Sequence, residues 1–209
     1  TEYSVSFLES AMKSKRAAIL DAATWLFSTK GFREASTTEV ARLTGSADGT
    51  IFYHFESKEK LFLAVLEEVR TTIENAFAEF LPTTEGLSGI DALEGVVTFY
   101  LDLAAENEAQ FMLLHRHHAY DLARVNDECR LLLEAIYDQI IRAFEHAIQR
   151  GQEDGSMGEL PVHKTALLVY MMIDGLVRLK HYGLYEAGSL FGDFMAGCRR
   201  LVQAEEPEV

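Results

Sequence analysis

The chain has 209 residues, 48% hydrophobic and 25% charged, which is the composition of a folded protein. At this length a chain buries roughly 70% of its unfolded surface, enough for a core in one domain or two. Three prolines and 14 glycines exclude collagen, low complexity and bulk disorder. No apolar run reaches the ~18 residues of a membrane span, and no signal-peptide pattern opens the chain, so no membrane partner is expected. Cys129 and Cys198 form no ligand pair and no disulfide framework, and both read as small core residues on helices. A reducing cytoplasm is the expected compartment.

Nineteen Lys and Arg stand against 33 Asp and Glu, a formal net charge of -14. Taken whole, that balance argues against nucleic acid, because phosphate binding uses a basic footprint. Its distribution argues otherwise. Residues 1–66 hold eight basic and eight acidic side chains, which leaves eleven and twenty-five for residues 67–209. The asymmetry points to two jobs along one chain.

The hydrophobic period is helical nearly throughout. From about Lys13 to Lys30, apolar residues recur three and four apart at Ile19, Ala22, Ala23, Leu26 and Phe27. Gly31 supplies a left-handed stop and Phe32 tucks back. Ser36-Thr37-Thr38-Glu39 reads as a capping box that starts a short helix through Val40, Ala41 and Leu43, ending at Gly45. A second short helix spans about Asp48 to His54. Ser57 caps a long helix from Lys58 with a stripe at Phe62, Val65, Leu66, Val69, Ile73, Phe77 and Phe80, ended by Pro82. Residues 82–88 are a Thr/Gly/Ser connector.

Longer helices follow. One runs from about Ile90 to Ala105 and a short one from about Glu108 to His115. The longest spans about Asp121 to Arg150, with Cys129, Leu132, Leu133, Ile136, Tyr137, Ile140, Ile141, Phe144 and Ile148 on one face. Gly151–Gly158 reads as a polar loop. Pro161 starts a helix to about Tyr182, and a last helix runs from about Glu186 to Ala204. Residues 166–173 are apolar on almost every side, so that helix is expected to be buried on more than one face, with its own bundle and a second subunit as the two candidate covers. With no competing strand pattern, repeat or heptad run, the class is all-α.

The informative stretch is Ser36 to Lys60, two short helices joined by a tight glycine-containing turn: a helix-turn-helix, whose second helix enters the DNA major groove. Val40, Ala41, Leu43 and Ile51 supply its small core. That leaves Thr50, Phe52, Tyr53 and His54 at the outer surface, where hydroxyls and imidazole reach phosphates and base edges and aromatic rings pack on thymine methyls. The competing role for these rings is ordinary small-domain core.

On these residues the stretch from Lys15 to Val69 resembles the N-terminal domain of TetR-family transcriptional regulators. The resemblance runs through Ile19–Leu20–Ala22–Ala23–Leu26–Phe27, Gly31-Phe32, Ser36-Thr37, Val40-Ala41 and Gly45. It continues through Gly49-Thr50-Ile51-Phe52-Tyr53-His54-Phe55 and Ser57-Lys58-Glu59-Leu61. It covers about a quarter of the chain; the remaining helices agree in number and order without a readable motif. It implies a homodimer with a DNA-binding domain over residues 12–72, joined by the long helix from Lys58 to Leu81 to a helical ligand-binding and dimerisation domain over 73–209. It also implies double-stranded operator DNA and a small-molecule effector as partners. Carried over residue by residue, Ser36 and Thr37 meet phosphate, Thr38 reaches a base, Asp48, Gly49, Thr50, Phe52, Tyr53 and His54 belong to the recognition helix, Ala47 is a further DNA-binding position, and Lys58 contacts phosphate. Lys13, Lys15, Arg16, Lys30, Arg33, Arg42 and Lys60 complete the local basic set.

Two departures from the family's pattern matter. Ala47 stands where many members carry Ser or Thr, and Asp48 where many carry a basic or neutral polar residue. Asp48 is repelled by phosphate; it serves either as a helix N-cap or as an acceptor for a cytosine amino group. Phe52 replaces a common Tyr and removes one hydroxyl contact.

For the second domain, an apolar cavity with a few polar groups is the expected form of an effector site. Its candidate lining is Phe99, Phe111, Met112, His115, Tyr137, Tyr170, Met171 and Asp174, with His115 and Asp174 as polar anchors for a hydrophobic or aromatic ligand. A dimer seam is expected along Leu168, Met172, Leu176, Leu190, Phe194 and Leu201. His115, His117 and His118 raise a metal reading, but Glu-x-x-His, HExxH and Cys-pair signatures are absent, so neither metal nor cofactor is expected. Nucleophile-elbow, P-loop and dinucleotide motifs are also absent, which argues against an enzyme. The reading is a ligand-responsive repressor. Its alternative is a helical small-molecule-binding protein with weak or lost DNA binding.

Overall fold

A computed structural model of the chain describes residues 15–184 and 186–203. Among them, ten α-helices and two short 3-10 turns carry the fold, with no strand. They are α1 (Lys15–Thr29), α2 (Thr37–Leu43), α3 (Asp48–Phe55), α4 (Lys58–Phe80), α5 (Gly89–Glu106), α6 (Glu108–Leu114), α7 (His117–Ala123), α8 (Asp127–Glu153), α9 (Val162–His181) and α10 (Phe191–Val202). Lys13, the expected Ala204 terminus of the last helix and the start of the 12–72 span lie outside the described residues.

Two compact units form. The first unites residues 15–69 with Ala109–Leu133; the second unites Arg70–Glu108 with the chain from Glu134 onward. Residues 109–133, which chain order assigns to 73–209, thus group with the helix-turn-helix.

In the first unit the local rules act as read. Ser36 Oγ accepts from the Glu39 amide at 3.1 Å while Glu39 Oε2 accepts from the Ser36 amide at 3.0 Å, a complete capping box. Gly31 (φ 86°) ends α1, and Phe32 returns to pack 5.5 Å from Phe27. Gly45 (φ 61°) ends α2 in a Schellman turn: the Ser46 amide donates to Ala41 O at 2.9 Å and the Gly45 amide to Arg42 O. Val40, Ala41, Ile51 and Phe55 are buried with Ile19, Leu26, Phe27 and Phe62.

Leu43 corrects the expected core, being 50% exposed. Thr37, Val40, Ala41 and Thr44 share the inward face of α2, and at 100° per residue Leu43 lies about 110° around from its centre. Between α3 and α4 the only non-glycine residue with positive φ among those described, Glu56 (φ 61°, ψ -41°), makes a γ-turn of the rare hand, closed by the Ser57 amide on Phe55 O at 2.6 Å.

The long helix expected from Asp121 is broken. α7 ends at Ala123 and α8 begins at Asp127, because Asn126 caps it: its Oδ1 accepts from the Cys129 amide at 3.0 Å. The returning segment is tied into the first unit by polar contacts. The Arg116 guanidinium donates to Ser28 O and Thr29 O, both at 2.7 Å, and so satisfies the C-terminus of α1, whose last turn has no basic residue. His118 stacks on Phe32 at 3.7 Å, and Glu128 pairs with Lys60 at 2.8 Å. Cys129 is buried, its thiol pushed up to about 11 by desolvation.

In the second unit α5 packs on α9 and α9 on α10. Ser88 caps α5, and two of its first amides are taken from elsewhere: Gly89 donates to Asp154 Oδ2 at 2.7 Å and Ile90 to Ser156 Oγ at 3.2 Å. This crossing demands glycine. A Cβ on Gly89 would stand 2.0 Å from the Gly151 nitrogen. α8 continues through Glu153 into the expected loop, and Met157 folds back, buried. The expected last helix is split into a 3-10 turn, Ala187–Leu190, and α10. Cys198 is buried, its thiol also pushed up to about 11 by desolvation.

Candidate functional site

The outward face of α3 is built by its period. Ile51 and Phe55 turn into the core, which leaves Asp48, Gly49, Phe52 and Tyr53 exposed on the other side; Phe52 is 50% and Tyr53 84% exposed. His54 is exposed with its ring 5.3 Å from Tyr53, and Thr50 is half-buried. Leaving Phe and Tyr rings in water forfeits roughly 1.5–3 kcal/mol of burial for each apolar side chain, so these rings do not serve the core of this unit.

The expected N-cap role of Asp48 is corrected. Ala47 occupies the cap and makes no side-chain hydrogen bond, while Asp48 is the first helical residue. Its Oδ2 accepts from Thr38 Oγ1 at 3.3 Å, which joins the first turn of α2 to the first turn of α3. Gly49 has no steric reason of its own, since a Cβ there would meet nothing within 4 Å. In a helix, glycine costs up to ~1 kcal/mol against alanine.

The expected phosphate contacts divide. Ser36 spends its hydroxyl on the capping box, and Thr37 is half-buried at the first turn of α2. Lys58 is not extended into solvent: its Nζ lies 4.5 Å from the Phe32 ring and donates to Arg33 O at 3.3 Å. Desolvation there lowers its pKa, opposed by Glu34 and Glu39. Arg16 lies over the Phe55 ring. Lys30 pairs with Glu39, whose carboxyl is held below the usual range chiefly by that bond.

The expected effector lining does not assemble in one place. Phe111, Met112 and His115 belong to the first unit, the other five to the second. Tyr137, Tyr170 and Asp174 do come together around Tyr100. The buried Tyr100 hydroxyl donates to Asp174 Oδ1 at 2.8 Å, Tyr170 meets Tyr100 edge-on at 5.9 Å, and Tyr137 lies 6.0 Å from Tyr170. Burial raises the Tyr100 pKa well above the ordinary phenol value, so the hydroxyl stays a donor. Phe99 stacks on Phe80 at 4.1 Å beside an open groove, and Met171 is 58% exposed.

A cavity of about 240 Å³ opens in the second unit between α5, α9 and the start of α10. Leu101, Ala104, Ala105, Leu176, Val177 and Phe191 make its apolar wall, with Asp102, Glu108, Lys180 and His181 at its polar margin. None of the expected lining residues borders it, and Leu176, expected in the dimer seam, does. Of the other seam residues, Leu168, Met172 and Leu190 are 46%, 42% and 39% exposed, while Phe194 and Leu201 are half-buried. Among the described residues no group of three or more His, Cys, Asp or Glu is placed to hold a metal, and no helix is long and apolar enough to cross a membrane.

This head, three short helices presenting an exposed aromatic face on the last, is that of a helix-turn-helix DNA-binding regulator. Residues 19–65 match the model of the bacterial regulatory proteins of the tetR family. The regulator TtgR of Pseudomonas putida is 26% identical over 167 residues, 78% of each chain. A tetR-family regulatory protein from Rhodococcus RHA1 shares the fold with TM-score 0.75 at 19% identity, covering 93% of this chain and 100% of that one. FadR of Bacillus subtilis, solved in complex with stearoyl-CoA, gives 0.68 at 21% identity, covering 90% and 98%. Residues 19–65 therefore match the tetR-family DNA-binding region, and over most of its length the chain is similar to tetR-family transcriptional regulators.

Proposed function

We propose that the chain is a dimeric repressor that grips operator DNA through residues 12–72 and is released by a small hydrophobic or aromatic effector held within residues 73–209. The exposed Asp48–Gly49–Phe52–Tyr53 face of α3 carries this reading, because its rings are withheld from the core. A second subunit is the natural cover for Leu168, Met171 and Met172, which α9 leaves exposed beside buried Val169 and Ile173. The cavity between α5, α9 and α10 is the candidate site for the effector, with Tyr170 and Asp174 as an aromatic and acidic pair further along α9. The regulator works in the cytoplasm, where its operator lies.

Effector binding would shift a two-state equilibrium away from the form whose recognition helices match half-sites ~34–36 Å apart, or multiples of that. A coupling of ~1–3 kcal/mol changes DNA affinity 5–150-fold. Because charge is screened beyond about 8–10 Å at physiological salt, the acidic second part of the chain need not oppose binding.

The test is titration of the chain against its own promoter region at 50 and 200 mM salt. Sequence-selective binding that weakens ~10³–10⁵-fold with salt supports ~6–10 phosphate contacts across a dimer. Absence of selective binding across a genomic fragment library would favour the second reading, a ligand-binding protein without DNA binding. The docked Lys58 ammonium and the exposed Asp48 carboxylate are what favour that reading.

A further inference from the structure

We infer that Asp48 and Thr38 form one acceptor device that reads a cytosine amino group in the operator major groove. This rests on the operator-binding reading above. A carboxylate on a DNA-facing surface calls for an account beyond its place in the first turn of α3: Asp48 does not cap the helix, and it is held by one hydroxyl of the preceding helix, Thr38 Oγ1 at 3.3 Å.

The chemistry then narrows the partner. An ionised carboxylate offers only lone pairs, and Thr38, having turned its hydrogen toward Asp48 Oδ2, also presents lone pairs outward. The pair is therefore an acceptor-only edge, oriented by a bond between the two helices of the motif. Phosphate oxygens are acceptors too, so the backbone is excluded as its target. In the major groove the exposed donors are the amino groups of cytosine N4 and adenine N6. Adenine carries the N7 acceptor beside its amino group, which faces a carboxylate with like charge density; cytosine presents its amino group without that neighbour. Cytosine is the match.

Gly49 supports the same placement. It is exposed and helical, with nothing within 4 Å of where its Cβ would be, so the fold does not require glycine there. The missing side chain leaves clearance immediately beside the Asp48 carboxylate for a base edge to approach. Phe52, one turn further along the same face and half exposed, sits where an apolar contact to a neighbouring thymine methyl would follow.

The experiment is enrichment of bound duplexes from a randomised DNA library by the full chain, as the wild type and as Asp48→Ala, Asp48→Asn and Thr38→Val, with thermal melting confirming that each variant is folded. The wild type should favour cytosine about tenfold at one position of each half-site. Asp48→Ala should flatten that position and leave the others unchanged; Asp48→Asn should move it toward adenine, whose N6 and N7 suit an amide; Thr38→Val should weaken the preference without redirecting it. If the wild type enriches a motif that Asp48→Ala leaves unaltered, or binds more tightly to every sequence alike after the change, the inference falls and the operator-binding reading stands. If the wild type enriches no sequence, both fall.

Discussion

Around α3 and around Tyr100 the protein puts aromatic rings to opposite uses. On α3, Phe52 and Tyr53 stand in solvent, and the Tyr53 ring meets that of His54, its chain neighbour. In the second unit Tyr100 is 1% exposed, its ring edge-on to Tyr170 and its hydroxyl committed to Asp174. A buried tyrosine has its free energy of burial and its hydrogen bond inside the fold. An exposed one has neither until something docks on it. Stability and recognition should therefore separate cleanly between the two regions.

The largest effect should come from the tightest packing of the second unit. Gly89→Ala would drive a Cβ against Gly151 backbone, 2.0 Å from its nitrogen and 2.1 Å from its Cα. Two backbones cannot both yield, and a loss of about 3 kcal/mol or more is expected, read as a fall in thermal midpoint. Next, Tyr100→Phe removes the donor to Asp174 and should destabilise by about 1.5–3 kcal/mol, the scale of a hydrogen bond to a charged group, while leaving DNA affinity of the folded protein unchanged. Tyr53→Ala should do the reverse: stability within about 0.5 kcal/mol of wild type, DNA binding weakened about tenfold in a shift assay. A large stability loss from Tyr53→Ala would break the contrast, since the ring would then belong to the core after all.

The smallest effect is electrostatic. Desolvation chiefly lowers the pKa of His118 from its ordinary 6.5, aided by Lys58 and Arg33 and opposed by Asp121 and Glu59. The neutral ring is the form that stacks on Phe32, so this contribution is complete above pH 6.5 and is lost as pH falls through the lower folded value. An NMR titration should place the His118 midpoint below an ordinary histidine. A midpoint at or above 6.5 would show that Asp121 and Glu59 outweigh burial.

What was legible in the sequence was whatever is decided within about five residues. The Ser36–Glu39 box, the stops at Gly31 and Gly45 and the outward turn of Phe52 and Tyr53 follow from side chains acting on neighbouring backbone. The Asn126 cap is equally local, yet it was masked, because Leu122 and Cys129 lie seven apart and keep the apolar stripe in phase across the break. The tertiary ties were not legible. Arg116 reaches Ser28 over 88 positions, and His118 meets Phe32 through a stack that no spacing announces. The division of the expected effector lining was hidden for the same reason, since size and polarity mark Phe111, His115 and Tyr170 alike while only long-range folding assigns the first two to one unit and Tyr170 to the other.

The Glu56 joint has a mechanical consequence. Conformational hinges are segments in which several torsions share a rotation, and here only Glu56 and Ser57 separate α3 from α4, with Glu56 already in a sparsely populated region and spanned by the Ser57 amide bond to Phe55 O. Such a joint is an elbow with almost no slack. A rotation of the first turns of α4 has only the torsions of these two residues in which to be absorbed, so the angle of α3, and with it the outward aim of Asp48 and Tyr53, is held to that of α4.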